Sequence, residues 1–329
     1  MQFKTSLALF TIAATALAKT ILLSNDDGWA STNIRATYYQ LKSAGHDVYL
    51  VAPVSQRSGW GGEFDEPTSP TLDTDGEFGY VKAGAPSWGH EIDDDHIWYV
   101  NGTPASSVAF ALKYVFPYYF AEKGENITVD LVVAGPNEGT NMSPGFFTAS
   151  GTMGATYNAV YRGYPAISFS GSNSNNSFFK DSLDLEDKLE PSTIYANLVV
   201  EMVNQLFESQ GENTRTLPLG VGLNVNFPAV GYLNETCNSP QWVYTRLTGE
   251  YAGGADMYYN ETSNSFVWKP STMSALSVCY NGDCSLPSEN LILGYTDCAT
   301  SVSAFSIDYD VTLGMSNEVT SLLQPLFSS

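Results

Sequence analysis

The run Ser24-Asn25-Asp26-Asp27-Gly28 follows directly on the apolar residues Ile21, Leu22 and Leu23. Two adjacent carboxylates at the end of a strand, with a glycine to let the backbone turn, can both approach one hard cation. Taken alone, Asp-Asp-Gly is more often an ordinary turn. Two further polar runs change the balance. Pro53-Val54-Ser55-Gln56-Arg57-Ser58-Gly59 follows the apolar stretch 48–51, and Gly135-Pro136-Asn137-Glu138-Gly139-Thr140-Asn141 follows 129–134. Side by side at one rim of a sheet, these loops bring together carboxylate, hydroxyl and amide oxygens, and an all-oxygen set favours Mg, Mn or Ca over Zn or Cu. Ser150-Gly151-Thr152 opens a helical stretch, offering backbone N–H groups and two hydroxyls as a phosphate cradle. An ordinary N-cap by Ser150 reads the same way.

The elements that must position these residues alternate short apolar runs with helical spacing, the pattern of parallel βαβ units. Strands are expected over 21–23, 48–51, 97–100, 129–134, 166–169 and 219–227, and helices over 33–43, 104–114, 151–162 and 191–207. A polar stretch, 59–95, is expected to be a surface excursion, and 135–145 a loop. Beyond about residue 230 the pattern changes to short aromatic and cysteine-containing segments, with a helix expected over 311–326. The fold class is therefore α/β, a Rossmann-like, doubly wound, mostly parallel sheet over 19–230, with a C-terminal extension, 231–329, packed on it.

The runs ILLSNDDG, VAPVSQRSG, VNGTPASSV, VVAGPNEGTN, SGTMGA, YPAISFS and LNVNFP occur in the order and approximate spacing of the SurE (survival protein E) family of metal-dependent phosphatases. The match covers roughly 20–228, with a weaker echo at Tyr295-Thr296-Asp297. The resemblance implies a divalent metal on Asp26, Asp27, Ser58 and Asn137, with Asp26 and Asp27 as the catalytic pair. It places Ser150, Gly151 and Thr152 near the phosphate, and Asn141 as a residue that holds the phosphate or shapes its loop. It also implies a nucleoside monophosphate or other small phosphate monoester as substrate, and a homodimer or larger assembly. Family members with a functional histidine near the C-terminal Thr-Asp motif have no counterpart here, because the histidines are His46, His90 and His96.

The chain has 329 residues with 14 Lys plus Arg against 35 Asp plus Glu, a formal charge of −21, which excludes a nucleic-acid polymer as the usual partner. Residues 1–18 read as a secretory signal ending in Ala16-Leu17-Ala18, and no later stretch is long and apolar enough for a membrane span, so a secreted, extracellular protein is expected. Six sequons, at Asn101, Asn126, Asn141, Asn175, Asn234 and Asn260, agree with that, and a role near phosphate requires Asn141 to stay unmodified. Cys237, Cys279, Cys284 and Cys298 suggest two disulfides, with Cys279 to Cys284 and Cys237 to Cys298 as the preferred pairing. Within the SurE family, the signal and sequons resemble those of the secreted fungal acid phosphatases.

Two rival functions are a serine esterase using Ser87, in the loose elbow Ala85-Pro86-Ser87-Trp88-Gly89, and a non-catalytic secreted glycoprotein on the same scaffold. Asp73-Thr74-Asp75-Gly76 and the cluster His90, Asp93, Asp94, Asp95 and His96 read as solvated polar loops rather than sites.

Overall fold

The computed structural model describes residues 18–249, 252–272 and 283–327, so the expected signal sequence and Cys279 lie outside the described residues, apart from Ala18. In chain order the elements are β1 (Thr20–Ser24), α1 (Thr32–Ser43), β2 (Asp47–Pro53), β3 (Trp88–His90), β4 (Ile97–Val100), α2 (Pro104–Phe110), β5 (Leu131–Glu138), α3 (Ser143–Ala149), α4 (Gly151–Tyr161), β6 (Ala166–Gly171), α5 (Phe179–Ser182), α6 (Pro191–Gln210) and β7 (Val221–Asn226). There follow β8 (Gln241–Thr245), β9 (Gly253–Asn260), β10 (Ser265–Thr272), α7 (Glu289–Tyr295), β11 (Ala299–Ser306) and α8 (Leu313–Phe327).

Alternation of side chains along the strands decides which core each apolar residue enters. Ile21, Leu23, Leu50 and Val133 point to one face, where Ile34, Tyr38 and Leu41 of α1 and Ile194, Leu198 and Val199 of α6 cover them. Leu22, Tyr49, Val51, Val132 and Ala134 point to the other, against Val108 of α2 and Met153, Ala155 and Ala159 of α4. Burial on both faces is why these strands read as unbroken apolar runs.

The sheet order is β3-β4-β2-β1-β5-β6-β7-β11-β8. From β4 to β7 every neighbouring pair is parallel. β1 leads to β2 on one side, and β5 lies on its other side, so the winding direction reverses between β1 and β5. That is the switch point at which the carboxyl ends of the strands part and leave a crevice. β11 runs antiparallel to β7, and β8 pairs parallel to β11, so residues beyond 230 add two strands to the same sheet. β9 and β10 form a separate antiparallel ribbon.

Several expectations change in detail. The helix expected to stop at Tyr114 is α2 followed by a π-helical stretch, Ala111–Phe120, which runs through Pro117 and buries Val115, Phe116 and Phe120. Pro117 has no N–H for an ordinary helical bond, and the altered register accommodates it. The expected loop 135–145 instead carries the end of β5, with a register shift between Ala134 and Asn137, and then α3. The excursion 59–95 returns to the sheet as β3, pairing antiparallel with β4. Cys237 is bonded to Cys298, as expected, and Cys284 is also disulfide-bonded. Among the described residues no helix is long and apolar enough to cross a membrane.

Candidate active site

Asp26 and Asp27 leave β1 at the switch point, and both are buried, at 2% and 1% exposure. The chain turns after them at Gly28, whose φ of 98° favours glycine; a Cβ there would also lie 2.0 Å from Glu77 Oε2. Asp26 faces the N-terminus of α4. Thr152 Oγ1 donates to Asp26 Oδ1, and the backbone N–H groups of Gly151 and Thr152 bond the same carboxylate. A carboxylate is therefore accommodated where a helix end presents donors and positive partial charge. A Cβ on Gly151 would lie 2.8 Å from Asp26 Cβ and 3.0 Å from Asp26 Oδ2, so only glycine permits this approach. Ser150 Oγ caps α4 by accepting from Met153 N at 3.1 Å.

Asp27 Oδ2 accepts from Glu138 N at 2.8 Å, which ties β1 to the end of β5. Asn137 is buried; its Nδ2 donates to Gly139 O at 2.5 Å, while its Oδ1 has no hydrogen-bond partner. The Ser58 loop reaches the pair through Arg57 N, which donates to Asp26 O at 2.6 Å. Ser58 itself is exposed, and its hydroxyl accepts from Gln56 Nε2 at 2.6 Å. Asn141 is turned into the sheet: its Nδ2 donates to Ser170 Oγ at 2.9 Å and its backbone N–H to Asn226 Oδ1 at 2.7 Å. The nitrogen that would carry a glycan is thus engaged and buried. The structure assembles Asp26, Asp27, Asn137, Gly151 and Thr152 closely, sets Ser58 at the rim, and uses Ser150 as a cap and Asn141 as a loop anchor.

Three residues that the sequence did not single out stand beside the pair. Glu138 contributes its backbone to Asp27, and both its carboxylate oxygens are buried without a partner. Glu77 arrives from the excursion 59–95, where Glu77 N donates to Val54 O at 3.0 Å. Asn176 joins them, donating Nδ2 to Asp27 O at 3.2 Å and to Glu77 Oε1 at 2.5 Å. Glu138 was within a quoted motif, whereas nothing local marks Glu77 or Asn176. Burial raises Asp26, and burial, followed by the charges of Asp26, Glu138 and Glu77, raises Asp27 well above the usual carboxylate range. Burial also pushes Glu77 up to about 8 and Glu138 up to about 7.

The rival sites do not assemble. Ser87 is fully buried, and its hydroxyl has no hydrogen-bond partner. His90 contacts Tyr119, His96 stacks on Tyr49, and His46 meets Asn204, so none serves Ser87 as a base. Asp75 pairs with Lys82, Asp94 with Lys42 and Asp95 with Lys123, as solvated loops do. Among the described residues no group of three or more His, Cys, Asp or Glu is arranged to hold a metal ion, so a cation here needs the amide and hydroxyl oxygens as well as Asp26 and Asp27.

The family described as "Survival protein SurE" matches residues 21–252. An acid phosphatase of Yarrowia lipolytica is 43% identical over 293 residues, 88% of this chain and 80% of that protein. A 5'-nucleotidase SurE of Methanothrix thermoacetophila is 31% identical over 232 residues, 69% of this chain and 72% of that one. The crystal structure of the Sure protein from Aquifex aeolicus shares the fold, with a TM-score of 0.58 at 22% identity over 92% of this chain and 99% of that chain. With the motif residues gathered at the switch point of that fold and most of the chain matched, this protein belongs to the SurE family.

Proposed function

We propose that the chain is a secreted, divalent-metal-dependent phosphomonoesterase acting on nucleoside monophosphates and related phosphate monoesters. The observation that carries this reading is the buried Asp26 and Asp27 pair set against the N-terminus of α4 at the switch point. Its similarity to an acid phosphatase and to a 5'-nucleotidase supports it.

The residues fit a hard cation. Two buried carboxylates repel one another without one, and Asn137 Oδ1 is an unpartnered amide oxygen beside them. Asp26, Asp27 and Asn137 would hold it, with Ser58 as the hydroxyl ligand. A divalent cation there supplies positive charge against the phosphate dianion and acidity to water. The protein's own groups do the rest. Thr152 and Gly151 fix Asp26, while the Glu138 N–H orients Asp27 to receive the proton of the attacking water. The Gly151 and Thr152 donors are held by Asp26, whereas Ser150 Oγ accepts from Met153 N and keeps its own proton, so Ser150 is the donor that would steady charge on the transferring phosphoryl group at this helix end. No histidine stands near the pair; Glu138 and Glu77 are the carboxyl groups beside it that would serve as acids for the leaving group.

Beside Glu138 lies a cleft of about 320 Å³ whose lining includes Asn33, Asn173, Asn175, Ser177 and Tyr232. This polar lining, in which Asn33 bonds Asn173 and Tyr232 bonds Asp187, suits the hydroxyls of a sugar, which supports a nucleoside leaving group. The disulfides support secretion.

The test is an assay of nucleoside monophosphates and p-nitrophenyl phosphate from acid to neutral pH with Mg, Mn or Ca, with and without EDTA. EDTA is expected to abolish hydrolysis, and Asp26→Ala to lower kcat/KM by roughly 10³-fold. A chelator-insensitive esterase, or an Asp26→Ala protein with near-normal turnover in added metal, would refute the assignment.

A further inference from the structure

The segment 137–152 carries Asn137 at one end and Gly151 and Thr152 at the other, so the relation between cation side and phosphate side depends on what fixes its middle. There the backbone is strained: Ser143, at the start of α3, has φ 66°, a left-handed conformation that a residue with a side chain adopts only when its surroundings hold it. The group that holds it comes from far along the chain. Glu289 Oε2 accepts from Ser143 N at 2.9 Å, and Oε1 accepts from Asn224 Nδ2 at 2.8 Å. The same Asn224 amide donates to Asn141 O at 2.8 Å, so one carboxylate braces Ser143 directly and Asn141 through Asn224, beside the bonds of Asn141 to Asn226 and Ser170.

Glu289 is itself rigidly placed. It is fully buried in the first turn of α7, which Ser288 caps by accepting from Leu291 N at 3.2 Å, and Glu289 N donates to Arg246 O at 3.1 Å. α3 rests on the same part of the chain, with Phe146 against Trp268 at 5.5 Å and Phe147 against Phe305 at 5.2 Å between ring centroids. A buried carboxylate is unfavourable unless its oxygens are well bonded, and mere packing would not call for one. Glu289 also lies outside the family match of 21–252.

We propose that Glu289 is a positioning residue for phosphate binding: its carboxylate sets Asn141 and Ser143, and through α3 it sets the approach of Ser150, Gly151 and Thr152. The proposal rests on reading the N-terminus of α4 as the phosphate side of the site.

The experiment compares the full chain with Glu289→Gln, which keeps the shape but turns an NH₂ donor toward another donor. In saturating Mn²⁺, kcat/KM for p-nitrophenyl phosphate is expected to fall about 100-fold. The inhibition constant of inorganic phosphate should rise about 10-fold. The affinity for Mn²⁺, read by tryptophan fluorescence, should stay within about threefold, as Glu289 bonds none of the cation-side residues. A purely structural role would lower Tm and leave the phosphate inhibition constant of the folded protein unchanged, and that result overturns the proposal, as does a Glu289→Gln protein with wild-type kinetics. If Glu289→Gln does not fold, Asn224→Ala removes one of the two links and carries the same expectation, an unchanged phosphate constant again overturning it. Failure of the unaltered chain to hydrolyse any phosphate ester refutes the phosphatase reading instead, and is seen before any variant is made.

Discussion

Thr152 and Gly151 act on Asp26 in different ways, one by a hydrogen bond and the other by the absence of a side chain. Thr152→Val keeps the volume and removes the donor, so kcat/KM and Mn²⁺ affinity should each fall by about 10-fold, as when the partner of a metal ligand is lost. Gly151→Ala drives a methyl into Asp26, and it should abolish turnover while circular dichroism stays that of the folded chain. Wild-type Mn²⁺ affinity in Thr152→Val would show that the hydroxyl does not orient the ligand. Asp26 and Asp27 were legible in the sequence because adjacent carboxylates after an apolar run form a local signal. Glu77 and Glu289 were not, since each reaches the site from a distant segment whose neighbours are unremarkable polar residues. Asn141 lies between these cases: its motif is visible, yet only the bonds to Ser170 and Asn226 reveal it as an anchor.

At the scale of elements, the strands buried on both faces were readable as apolar runs, and the helices on them as a 3.6-residue spacing. The π-helical stretch, α3 and β11 were not, because an altered helical register, a seven-residue helix and a strand built on Ser, Thr and Ala carry weak periodicity. The Cys237–Cys298 bond clasps β11 to the segment after β7 across 61 residues. Closing a loop of that length restricts the unfolded chain by about 4 kcal/mol on the entropic account. Replacing both cysteines with serine should lower the free energy of unfolding in urea by up to about that amount. Because β11 packs beside the strand that bears Asn224 and Asn226, phosphatase activity should be lost at a lower urea concentration as well.

For the whole molecule, the net charge of −21 matters through where its carboxylates sit. Burial raises Glu77 to about 8 and Glu138 and Glu289 to about 7, against an ordinary value of 4.5. A carboxyl whose folded value is raised binds its proton more tightly when folded, so its contribution to stability is complete below 4.5 and is lost as pH rises through 7 to 8. Asp75, Asp94, Asp95 and Asp283 are lowered from 3.8 by their bonds to neighbouring donors and act oppositely, losing stability only below about that pH. The metal-free chain should therefore have its highest Tm in mildly acidic buffer and a falling Tm from about pH 5 to 8. Scanning calorimetry in EDTA checks this, and a maximum above neutrality would contradict it. Such a profile suits an acidic medium.

The bond from Ser143 to Glu289 spans 146 residues, and this separation orders events during synthesis. The parallel strands through β7 can pair, and Asp26, Asp27 and Asn137 can gather, while α7 and β11 are still inside the ribosome. At that stage the nascent chain has oxygen ligands for a cation but nothing to hold Ser143 in its strained turn. On the proposed reading, the oxygens for a cation would thus gather early in translation, and ester hydrolysis would begin only once the bracing carboxylate emerges.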